Sequence, residues 1–216
     1  IDGNSSSGNK IIGTDSETTW QISSDNEGSL NPGSGSTEFT KIQNLQGGSE
    51  NDTFIISNNA TLSGSISAEG GSENTLEYTA FSNSITVNIG SKTATNITSG
   101  FTGLQKFIGP DDQINTLIGP NSATPQWNIT SDNGGTITGS IYIFENFANL
   151  TGYENQNNTF IFDGTHKITG DLNGGIEGSN TLDYSNVGSD ITVNFSTMET
   201  SFVDGTFSNI QNVIGG

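Results

Sequence analysis

Asn74-Thr-Leu-Glu-Tyr78 returns 106 residues later as Asn180-Thr-Leu-Asp-Tyr184. An Asn opens the phrase. Apolar and polar residues then alternate, which fits a short strand with one buried face. The same frame carries further pairs. Asn51-Asp-Thr-Phe-Ile-Ile56 returns as Asn157-Asn-Thr-Phe-Ile-Phe162, and Ile85-Thr-Val-Asn-Ile89 as Ile191-Thr-Val-Asn-Phe195. Phe101-Thr-Gly-Leu-Gln-Lys-Phe-Ile-Gly109 returns as Phe207-Ser-Asn-Ile-Gln-Asn-Val-Ile-Gly215. The segment Trp20-Gln-Ile-Ser-Ser-Asp-Asn-Glu-Gly28 matches Trp127-Asn-Ile-Thr-Ser-Asp-Asn-Gly-Gly135, with the offset drifting by one, and Asn9-Lys-Ile-Ile-Gly13 matches Asn115-Thr-Leu-Ile-Gly119. Ordered anchors of this kind mark a tandem repeat.

The expected organisation is two copies of a 106-residue repeat, 1–110 and 111–216, forming one continuous solenoid. The ends are cut at nearly the same point of the repeat, so the chain reads as a slice of something longer. No signal peptide is visible. Inside the long period, the Asn-Thr-apolar phrase recurs with threonines 22, 41, 43 and 22 residues apart. These spacings suggest rungs of about 21 residues, about ten in all.

Composition narrows the fold class. Only 29% of the 216 residues are apolar and 29 are glycine, so a thick globular core is out of reach. Disorder is disfavoured, because proline is scarce at four residues and 12 phenylalanines sit in short β-branched runs. Gly47-Gly48, Gly70-Gly71, Gly134-Gly135 and Gly174-Gly175 punctuate those runs as corners. No window has a helical period. The expectation is an all-β parallel β-helix (β-solenoid), with like strands paired coil on coil and recurring asparagines stacked along the axis. The alternative is one β-sandwich per copy.

Charge narrows the partners. There are 23 acidic residues, five lysines and no arginine, giving a net charge of -18. Nucleic acid is therefore a poor partner. No stretch approaches the ~20 apolar residues of a membrane span, so no membrane insertion is expected. Cysteine is absent, which removes disulfides.

Gly47-Gly-Ser-Glu-Asn-Asp-Thr-Phe-Ile55 is similar to the nonapeptide of hemolysin-type (RTX) repeats. The run Gly174-Gly175, Asn180-Thr-Leu-Asp-Tyr-Ser185, Thr192-Val-Asn194 and Phe207–Gly216 resembles the degenerate repeat regions of giant bacterial secreted and surface adhesin proteins. The resemblance implies a repeat architecture at the bacterial cell surface or secreted from it, and tandem copies with no concentrated chemistry point to a structural, spacer or fibre-forming repeat and not an enzyme, the alternative being a calcium- or glycan-binding module. Its partners would be neighbouring copies of the same repeat stacking end to end, and host or matrix glycans. It also points to Asp52 as a candidate Ca²⁺ ligand. The pattern departs there, because Glu50 replaces a glycine and the counterpart of Asp52 is Asn158.

Other chemistry is thin. A polysaccharide-degrading β-helix needs clustered carboxylates, often with basic partners, whereas Lys41, Lys106 and Lys167 are scattered. His166 is the only histidine and its counterpart is Ala60, so it reads as a turn residue. Asp111-Asp112 reads as a solvated turn. Trp20 and Trp127 could stack on sugars, although the Trp-x-Ile alternation favours interior packing. Threonine strands such as Ser84-Ile-Thr-Val-Asn88 lack the flat, regular array of ice-binding solenoids.

Overall fold

A computed structural model of the chain describes residues 1–78, 81–111, 113–138 and 142–215. Asp112 of the acidic turn and Gly216 of the closing phrase lie outside the described residues. Among the described residues every regular element is a strand, and parallel strands stack coil on coil as a β-solenoid. The sandwich alternative falls away, because like strands pair in parallel.

The chain forms two compact units. One comprises 1–85 with 92–111, the other 86–91 with 112–216. The division differs from a simple cut near residue 110, because 86–91 pairs with 116–118 in the second unit.

In the first unit, strands Thr18–Ser24, Asp52–Ile56, Thr75–Glu77 and Lys106–Ile108 pair in parallel. Their register stacks Trp20, Phe54, Leu76 and Phe107, all fully buried. An opposing sheet stacks Ile11, Leu45, Ile66 and Phe101. The two inner faces meet where Phe101 and Phe107 lie 5.5 Å apart, centroid to centroid. A third side is marked by the parallel bridge between Leu62 and Ile97. The second unit repeats the plan, with Trp127, Phe160, Leu182 and Val213 on one sheet. Val87, Leu117, Leu150, Leu172 and Phe207 form the opposing row. A thin core suffices, with Ile22 on Ile56 and Ile129 on Phe162 forming a second inward column beside the tryptophans. That is how so apolar-poor a chain folds.

The coil length is uneven, and about six coils stack among the described residues rather than ten. Asp52 to Asn74, and Asn158 to Asn180, each span 22 residues, close to the expected rung. The following coils, Asn74 to Gln105 and Asn180 to Gln211, span 31. The first coil is longer still, because Thr18–Ser24 turns back into Glu27–Asn31 and then Thr37–Phe39 as antiparallel strands. The second unit carries the same excursion, Gln126–Ser131 into Gly134–Thr138 and then Tyr142–Glu145. Asn26 and Asn133 sit at positive φ (58° and 54°) in the tight Asp-Asn turns, a conformation that asparagine tolerates.

The spacings of 41 and 43 are therefore not double rungs. Asn115-Thr-Leu117 leads into the opposing sheet, whereas the phrases at Asn74, Asn158 and Asn180 lead into the tryptophan-bearing one. Gly13 and Gly119 close the Asn9 and Asn115 phrases beneath the indoles. A Cβ there would lie 2.8 Å from Trp20 Cζ2 and 2.5 Å from Trp127 Cζ2.

Candidate functional site

The recurring polar residues converge on a ladder along each unit, buried at Asp52, Asn74, Asn158 and Asn180 and reaching the surface at Gln211. In the first unit, Thr18 N–H donates to Asp52 Oδ1 (3.1 Å), Asp52 N–H to Asn74 Oδ1 (2.7 Å), and Asn74 N–H to Gln105 Oε1 (2.8 Å). In the second, Asn158 N–H donates to Asn180 Oδ1 (3.0 Å) and Asn180 N–H to Gln211 Oε1 (2.8 Å). Each side chain caps the strand of the coil before it. Asparagine suits the position because it also donates. Asn74 Nδ2 reaches the carbonyls of Gly70 and Gly103, and Asn180 Nδ2 those of Gly175 and Asn209. Asn74, Asn158 and Asn180 are fully buried, so every one of these bonds replaces water.

Asp52 belongs to this ladder. Its Oδ1 takes the Thr18 N–H and its Oδ2 the Gly48 N–H at 2.9 Å. Burial pushes its carboxyl above the ordinary value, while the N–H donors of Gly48 and Thr18 pull the other way. Asn158 meets a different corner. Its Nδ2 faces the carbonyls of Gly174 (3.0 Å), Tyr153 (3.2 Å) and Gln156 (3.3 Å). A donor-bearing corner takes the aspartate, and an acceptor-bearing corner takes the amide. The difference between the copies at this position is thus explained by hydrogen-bond polarity. Ca²⁺ takes six to eight oxygens. Asp52 presents its two to N–H groups, and no group of three or more His, Asp or Glu residues that could hold a metal ion occurs among the described residues.

Trp20 and Trp127 are fully buried and stack on Phe54 and Phe160 at 5.7 and 5.2 Å, so neither is a sugar platform. His166 lies in an exposed turn, its Nδ1 3.8 Å from Asp132 Oδ1. Lys167 bonds Asp204 at 2.6 Å, and Lys41 lies 3.1 Å from Asp2. Asp111 is exposed. Thr19, Thr53 and Thr75 stack outward in register, but Lys106 ends the row. Above them lies a groove of about 390 Å³ with Glu17 and Glu73 on its lining. It contains no basic residue.

Gln105 and Gln211 are ladder members that the alternation pattern does not disclose. Their identity in both copies is the signal that discloses them. Comparison with protein-family models, with curated proteins and with solved structures finds no match.

Proposed function

We propose that the chain is a structural repeat of a large bacterial extracellular adhesin or surface filament, a spacer or fibre-forming segment whose partners are further copies of the same repeat. One observation carries this reading. The polar residues shared by both copies, Asn74 with Asn180 and Gln105 with Gln211, are spent on coil-to-coil cohesion. The similarity of the Gly47–Ile55 phrase to hemolysin-type repeats supports a secreted setting, as does the net charge of -18. The role is non-enzymatic in this reading, with no resident metal. Glu17 and Glu73 are exposed and lack the basic partner that would balance developing charge.

The test is repeat energetics. In a stacked array each added copy contributes its own stability and one new interface. A chain with a third 106-residue copy should therefore unfold at higher denaturant than the two-copy chain. An unchanged midpoint, a midpoint lowered by EDTA, or release of reducing ends from polysaccharides would overturn the proposal.

A further inference from the structure

We infer that the second unit carries a binding groove for a neutral saccharide, built at the strand ends of its opposing sheet. Asn88, Ile118, Thr151 and Asn173 are the last residues of four successive parallel strands and stand in one register. Strand spacing makes this row about 14 Å long, the reach of a short oligosaccharide. The corners that follow, Tyr153-Glu154 and Gly175-Ile176, wall a groove of about 440 Å³ along it.

The groups in the groove are mixed and uncommitted. Asn88 Oδ1 accepts the Ser91 N–H and Asn173 Oδ1 the Gly175 N–H, both at 2.9 Å, and Asn173 Oδ1 also takes Asn209 Nδ2 at 2.9 Å; among the described residues neither Nδ2 meets a protein acceptor. The hydroxyls of Thr151 and Tyr153 and the carboxylate of Glu154 have no partner among the described residues. Ile176 is 57% exposed beside them. Amide donors, hydroxyls and a carboxylate acceptor next to an aromatic ring and an aliphatic side chain match a ring that carries both hydroxyls and C–H faces. The Glu154 carboxylate and the acidic surface disfavour an anionic sugar.

The aromatic ring is held in place. A Cβ on Gly90 would lie 2.1 Å from Tyr153 Cε2, so the ring rests against bare backbone that only glycine provides. Nor does the fold demand these residues. The first unit builds the same corners with Gly48, Ser67 and Gly70 where the second has Tyr153, Asn173 and Ile176. The inference does not depend on the spacer role, since a scaffold repeat and a binding groove can coexist on one chain.

The test titrates the full chain with cellotetraose, mannotetraose, chitotetraose and tetragalacturonate, following backbone amides by NMR. At least one neutral probe should shift Asn88, Thr151 and Asn173 at millimolar concentration and outcompete tetragalacturonate. Tyr153→Ala should weaken that probe about tenfold. Thr151→Val, which keeps the shape of an outward side chain, should weaken it by a smaller factor even if Tyr153→Ala impairs folding. No neutral probe binding up to about 10 mM, binding indifferent to both substitutions, or preference for tetragalacturonate would overturn the inference.

Discussion

The backbone N–H of Asp52 donates to the side-chain Oδ1 of Asn74 at 2.7 Å, across 22 residues of chain and one coil of the solenoid. Asn158 and Asn180 repeat the relationship at 3.0 Å and the same separation. Removing Asn74 or Asn180 leaves a buried N–H and two carbonyls without partners. Asn74→Ala and Asn180→Ala should each cost about 1–3 kcal/mol in urea unfolding. Costs below a few tenths would mean that the ladder is incidental.

Asn158→Asp separates hydrogen-bond polarity from size. The carboxylate would face the carbonyls of Gly174, Tyr153 and Gln156 in a fully buried corner. A loss of about 2–4 kcal/mol is expected at neutral pH. The loss should shrink on acidification, because a protonated carboxyl again donates to a carbonyl. Unfolding curves across pH check this, and a pH-independent loss would contradict it.

Asp52 gives a second pH signature. Burial holds its carboxyl above the ordinary value, so the folded chain binds that proton more readily than the unfolded chain does. The stability it contributes is complete below the unfolded value of about 3.9 and is lost as pH rises through the folded value. Relative to Asp52→Asn, the unaltered chain should therefore lose ground as pH rises. A difference that moves the other way would contradict the assignment.

The aromatic column should dominate the apolar cohesion. Phe160 is fully buried and stacks on Trp127 at 5.2 Å. Phe160→Ala should cost about 3–5 kcal/mol. Its outward neighbour Thr159 should tolerate alanine within about 0.5 kcal/mol. Thermal and urea unfolding of the two variants give the comparison.

The sequence made the coil legible where packing and register coincide. Asn74-Thr-Leu and Asn180-Thr-Leu alternate, cap and repeat together, so one phrase fixed strand, inward face and stacking partner. It was less informative at Asn115. The same capping device serves both sheets, and alternation says that a strand follows without saying on which side. Coil length was hidden for another reason. An excursion such as 27–39 lengthens the first coil of its unit without disturbing the register of Trp20 on Phe54 and adds little closure entropy, so a 22-residue coil and longer ones coexist in one unit. The groove at Tyr153 lay beyond reach, since its residues come from four strands and share no local pattern.

Amide hydrogen exchange at Asp52, Asn74, Asn158 and Asn180 tests the ladder most directly. These four N–H groups precede or begin short strands, where exposed turn amides would exchange quickly. The account predicts exchange as slow as in the central strand residues Phe54 and Phe160. Fast exchange at all four, with slow exchange confined to the strands, would contradict it.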